Sequence, residues 1–223
     1  MSDISQKHTE VLAKLTAASK RGKQSDVPTL VAVSKVQPDE RIADMLATGQ
    51  RVYGENRVQE AQTRWGETFA DHRAELELRL IGPLQTNKAA DAVALFDVIE
   101  TVDREKLLKA LVKAGEDHGK MPRLYVQVNT GEEDQKSGVL PADLPAFLKL
   151  MRETYNLEPE GLMCIPPMGE AASPHFWLLS NLADANGIKG LSMGMSGDYE
   201  IAAEMGATSV RVGSALFGAR DYG

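Results

Sequence analysis

A short apolar run followed by a helical stripe recurs along nearly the whole chain, and this alternation constrains the fold more than any other feature. Residues 29–34 read as an apolar strand. Pro38 then opens a helix with Asp39 and Glu40 in its first turn, Ile42, Met45 and Leu46 on one face and Gly49 at its end. The pairing repeats at 51–54 with 56–72, at 78–82 with 87–95, and at 97–101 with a helix that Asp103 is expected to cap and that carries Leu107, Leu108, Leu111 and Val112. It continues at 124–128 with 140–155, at 161–165 with 171–185 and at 190–193 with 197–205, and it closes on a strand at 209–213. Such alternation means a parallel sheet covered by helices. Eight units within 223 residues predict one closed (β/α)8 TIM barrel, a single domain over residues 1–223. An open doubly wound sheet fits less well, because no Gly-x-Gly-x-x-Gly turn follows the first strand. Ten residues follow Gly213, too few for a standard closing helix pair. A helical stripe at the start of the chain, Ile4, Val11, Leu12, Leu15 and Ala18, is expected to fill that gap in the outer ring.

Charge and composition then narrow the function. The net charge of -7 comes without a basic block, so a nucleic-acid surface is not expected. No apolar run approaches the roughly 20 residues that span a bilayer, so no membrane partner is expected either. The first residues lack the apolar core of a signal peptide, and Cys164 is the one cysteine, which points to the cytoplasm. His8, His72, His118 and His175 are scattered, and no metal site is expected. Trp65 and Trp177 fall on helical faces and read as core or partner-facing residues.

In a barrel of this kind the chemistry sits at the C-terminal ends of the strands. The first strand ends in Ser34-Lys35, the second in Glu55-Asn56, the seventh in "SMGMSGD" and the eighth in "VRVGSALFG". A lysine at a barrel mouth loses hydration, which lowers the pKa of its amine, and a neutral amine can form a Schiff base with an aldehyde. The alternative for Lys35 is a solvated lysine at a strand end. Gly194, Ser196, Gly197, Gly213 and Ser214 supply the glycine and serine of a phosphate cradle, which in barrels forms after strands seven and eight. Ser196 is either part of that cradle or the N-cap of the following helix, whose Asp198 and Glu200 would repel a phosphate; Gly213 and Ser214 are therefore the main expected donors. Arg211 lies between Val210 and Val212, so it points into the barrel if the valines face the helices. It is then either a cofactor contact or half of a buried ion pair, with Glu55 as the candidate partner. Lys136 reads as a loop charge near the fifth strand tip and is the place where a second cofactor molecule would bind if one does.

An amine, a phosphate cradle and an inward arginine around one mouth describe a pyridoxal phosphate pocket. The segments "VAVSK", "YGENRVQEA", "LIGPLQTNK", "KSGV", "GLMCIPP", "LSMGMSGDYEIA" and "VRVGSALFGAR", in this order, make the chain closely resemble the pyridoxal phosphate homeostasis proteins, the YggS/PROSC family. The resemblance implies a barrel like the N-terminal domain of alanine racemase and an internal aldimine on Lys35. It places Ser196, Gly213 and Ser214 at the phosphate, Arg211 near the pyridine nitrogen and Asn56 beside the ring. One departure is visible: Leu78-Arg79-Leu80 stands where the family commonly has Trp-His-Phe. The resemblance also implies a carrier more than an enzyme. A racemase needs a second acid/base, which the two-domain racemases take from a tyrosine on a further β domain, and the chain ends soon after its eighth strand. The expected partners are pyridoxal 5'-phosphate and PLP-dependent apoenzymes, for a chain that is a monomer or weak dimer. A racemase or lyase, and a barrel that binds another phosphorylated metabolite without a Schiff base, remain as alternatives.

Overall fold

A computed structural model describes residues 2–218; the end of the "VRVGSALFGAR" segment, at 219 and 220, lies outside the described residues. Eight parallel strands close into a barrel in chain order: β1 (Thr29–Val33), β2 (Val52–Glu55), β3 (Glu77–Leu80), β4 (Val98–Val102), β5 (Arg123–Gln127), β6 (Gly161–Met163), β7 (Gly190–Ser192) and β8 (Ser209–Val212). Closure is made by β1 on β8, with Thr29 opposite Ser209 and Val31 opposite Arg211. The helices α1 (Asp3–Arg21), α2 (Asp39–Ala47), α3 (Val58–Thr63), α4 (Ala89–Leu95), α5 (Glu105–His118), α6 (Leu144–Tyr155), α7 (Ala172–Ala185), α8 (Tyr199–Glu204) and α9 (Ser214–Phe217) lie outside.

The helix α1 packs between α8 and α2 and completes the ring as expected. Ser2 caps it by accepting the Ser5 N–H, and Arg21 at its far end pairs with Glu204 at 2.7 Å. Its buried stripe departs from the expected one: Leu12 is exposed, while Ser19 and His8 are buried, His8 within 3.2 Å of the Gln50 amide oxygen. Two helices also depart from the expected form. The 56–72 segment is α-helical only to Thr63, passes into a π-helical turn at Arg64–Thr68 and ends in a 3-10 turn at Ala70–Glu75. Asp103 does not cap α5; the N-cap is Arg104, whose guanidinium Asp103 binds at 2.5 Å.

Successive side chains on a strand point to opposite faces. Leu78, Leu80, Ile99, Leu124, Val126, Leu162, Val210 and Val212 face the helices and form the main core with them. The alternate positions fill the barrel axis, and there the set is mostly polar. Arg79 of β3 binds Glu100 of β4 at 3.0 Å; Glu100 accepts from Ser192 of β7 at 2.6 Å, and Arg79 also reaches Ser209 of β8 at 3.3 Å. Below them Val98, Tyr125 and Met163 form a small apolar layer. Gly161 and Gly190 make room for the Tyr125 ring, since a Cβ at Gly161 would come within 2.2 Å of it. An axis of this kind is costly unless each charge is paired, and the Arg79–Glu100 pair meets that condition.

Candidate functional site

The alternation of β1 carries Val31 and Val33 toward the axis and, continued one step, aims Lys35 at the mouth. Lys35 lines a small cleft together with Val33, Gln37, Gly213, Ser214 and Gly218. The lysine of the first strand and the loop after the eighth are therefore neighbours, because β1 and β8 close the barrel.

Ser196 belongs to the loop, not to the helix end. The N-cap of α8 is Asp198, whose carboxylate accepts the Met195 N–H at 2.6 Å. The Ser196 hydroxyl oxygen instead accepts the Gly213 N–H at 3.1 Å and the Ala215 N–H at 3.3 Å. Two backbone donors thus converge on one oxygen, at the loop whose Gly213 lines the Lys35 cleft, an arrangement that suits an anion's oxygen as well as a hydroxyl's. The turn that brings Ser196 there depends on Gly194, whose φ of 93° and whose space, with Ala202 Cβ only 2.5 Å from a built Cβ, both require glycine.

Arg211 points into the barrel, as the flanking valines imply, and is 3% exposed. Its partner is not Glu55. Glu55 shares the face of Tyr53, which looks outward at α3, while Arg211 looks at the axis. Arg211 donates to the Ser192 hydroxyl at 2.6 Å and to the Cys164 carbonyl at 2.8 Å, and it lies 3.8 Å from the Glu100 carboxylate. Glu55 accepts from Ser34, Arg64 and Trp65, and burial raises its carboxyl above the ordinary value in spite of the Arg64 charge. Ser192 and Glu100 were not legible as site residues; the only signal was a polar residue inside an otherwise apolar strand.

Asn56 follows β2 directly, its backbone against Gly82, and it is not among the residues lining the Lys35 cleft. Lys136 lines a separate recess with Gln127 and Asn129, and its amine binds Glu133 at 2.5 Å. Trp65 is fully buried and Trp177 is exposed on α7. Among the described residues no group of three or more His, Cys, Asp or Glu is placed to hold a metal, and no helix is long and apolar enough to cross a membrane.

The fold and the mouth define a barrel of the alanine racemase N-terminal domain class, and that family matches residues 13–221 of the chain. The pyridoxal phosphate homeostasis protein of Pseudomonas aeruginosa is 41% identical over the whole chain and 98% of its own length. The structure of PipY from Synechococcus elongatus with PLP bound superposes with a TM-score of 0.81, at 33% identity, covering 97% of this chain and all of that one. An alanine racemase of Clostridium difficile shares the fold alone, at 15% identity and a TM-score of 0.68 over 94% of this chain and 58% of its own. The chain belongs to the pyridoxal phosphate homeostasis protein family within the alanine racemase N-terminal domain class.

Proposed function

We propose that this chain binds pyridoxal 5'-phosphate at the mouth beside β1 and β8, holds it covalently on Lys35, and serves PLP homeostasis as a carrier instead of turning over amino acids. The observation that carries this reading is the single cleft shared by Lys35, Gly213 and Ser214. The residues fit the group on their own chemistry: a primary amine for an aldehyde, the Gly213 and Ala215 N–H groups, which a phosphate oxygen would take over from the Ser196 hydroxyl, and a buried arginine. PipY, structurally similar along the whole chain, has been solved with PLP bound, and the curated relatives carry the homeostasis name.

Lys35 would hold the aldehyde through its primary amine, as a Schiff base formed with release of the aldehyde oxygen as water. Bound PLP supplies a conjugated electron sink when its ring nitrogen is protonated. Arg211 would face that nitrogen, and a guanidinium does not give up its proton. It would thereby favour the unprotonated ring and weaken the sink. Ser192, Glu100 and the Cys164 carbonyl hold Arg211 in place. Ser196, Gly213, Ser214 and Ala215 bind the phosphate, and Asn56 contributes a polar edge near the ring. A single barrel domain carries this whole set. The same reading places the chain in the cytoplasm as a monomer or weak dimer, exchanging cofactor with PLP-dependent apoenzymes and without a role in nucleic-acid binding.

The test is a spectroscopic titration with PLP and with pyridoxal, the same aldehyde without phosphate. Each charge-assisted hydrogen bond lost costs about 1.5–3 kcal/mol, so pyridoxal is expected to bind at least roughly tenfold more weakly. Equal affinities would rule out the phosphate cradle.

A further inference from the structure

Lys35 stands in a turn under strain. The Gln37 N–H donates to the Ser34 carbonyl at 3.1 Å, so residues Ser34, Lys35, Val36 and Gln37 form a β-turn with Lys35 at its second position. At the third position Val36 has a φ of 60°. That conformation favours glycine or asparagine, and in a β-branched residue it is an outlier that neighbouring structure must enforce. Packing of the Val36 side chain does not enforce it, since the residue is 64% exposed.

Two side chains from the next helical segment grip the turn instead. The Val36 N–H donates to Glu60 Oε1 at 2.6 Å. Arg64 Nη2 donates to the Gln37 carbonyl at 3.0 Å, and its Nη1 ties Glu60 at 3.1 Å to Glu55 at 2.9 Å. Glu55 in turn accepts the Ser34 hydroxyl at 2.7 Å. The turn is therefore held at Ser34, Val36 and Gln37, on both sides of Lys35. Arg64 is the first residue of the π-helical turn, a rare element that often marks functional sites.

We infer that Glu60 and Arg64 are positioning residues for Lys35: by clamping the Ser34–Gln37 turn in its strained form at Val36, they hold the amine toward the cleft. This rests on the reading of Lys35 as the aldehyde-binding residue. Released from the clamp, Val36 relaxes to the ordinary extended or right-handed region, and the adjoining Lys35 backbone turns with it.

The experiment titrates the full chain with PLP, following the visible absorbance of the lysine-bound cofactor, with circular dichroism and thermal midpoints measured in parallel. Glu60→Ala is expected to weaken apparent affinity roughly tenfold, while Glu60→Gln, whose amide oxygen still accepts the Val36 N–H, keeps most of it. Val36→Gly, harmless alone, is expected to restore most of the loss when added to Glu60→Ala, because glycine adopts positive φ without steric cost. A merely structural Glu60 would not be rescued in that way. Wild-type titration by Glu60→Ala, or the same loss with and without Val36→Gly, overturns the inference. If Glu60→Ala does not fold, the comparison passes to Glu60→Leu, which keeps the side-chain bulk without the acceptor, with and without Val36→Gly: a deficit that Val36→Gly removes supports the clamp, and a deficit it leaves, or no deficit, overturns it. A wild-type chain without the lysine-bound absorbance, or a Lys35→Ala chain that keeps it, fails the Lys35 reading itself and is distinguishable from failure of the clamp alone.

Discussion

At the scale of single residues, burial and hydrogen bonding divide the mouth into reactive and inert groups. Cys164 sits at the tip of β6 with its carbonyl bonded to Arg211, and burial pushes its thiol up to about 12. The thiolate is the reactive form, so a thiol reagent at neutral pH is expected to label the folded protein far more slowly than the unfolded chain. The linkage sign follows from the same shift. The unfolded thiol ionises near pH 8.5 and the folded one only near 12, so the unfolded state gains stability across that window. Folding stability should fall as pH rises through it, and Cys164→Ala should make that alkaline slope shallower in denaturant titrations, with the buried Tyr53 and Tyr125, also raised by burial, supplying the rest. Equal labelling rates for folded and unfolded chains would contradict the burial on which this rests.

Much of the site was legible residue by residue, because a barrel puts its chemistry at strand tips. Lys35, Gly213 and Ser214 stood at the tips of the first and last strands, which closure makes neighbours. Ser196 was ambiguous in sequence, since a serine three residues before a helix looks like a cap; only its distances to Gly213 and Ala215 decide the matter. Glu55 was misjudged as the partner of Arg211, because polarity was weighed without strand parity. Glu60 and Arg64 were invisible, since a π-helical turn leaves no periodic signature and the strain at Val36 depends on contacts far apart in the chain.

At the scale of elements, β3 and β4 carry the least expected feature. Leu78 and Leu80 of β3 face the helices, as the apolar pattern predicts, and Arg79 between them faces the axis. Arg79 joins Glu100, Glu77 and Ser209. Glu100 then bonds Ser192, which accepts from Arg211, so the axial pair is linked to the buried arginine of β8. Burial works against ionisation at Glu77, but Arg79 and Arg123 hold its carboxyl below the ordinary value. Removing one partner of a buried pair strands the other charge. Arg79→Ala should therefore destabilise the fold by about 3–5 kcal/mol, measured by denaturant unfolding, and much more than the exposed-pair variant Lys113→Ala on α5. A loss no larger than that of Lys113→Ala would mean that the axial network contributes little to the barrel. The alternation of strands and helices predicted these elements well, and the misses fell where a side chain's hydrogen bonds override periodicity, as with Arg104 at the start of α5.

At the scale of the whole molecule, the closed ring and the amine at its mouth form one device. α1 completes the outer layer between α8 and α2, the apolar core lies between sheet and helices, and the cleft that Lys35 lines sits where the first and last strands meet. The central claim is that this cleft holds PLP through Lys35, and borohydride tests it most directly. Reduction of the C=N bond by borohydride fixes the cofactor to whichever lysine bears it, and peptide mass mapping of the full chain then reads the position. The account predicts a single dominant label on the peptide that contains Lys35, lost in Lys35→Ala. A dominant label on another lysine, or no label after saturation with PLP, would contradict it.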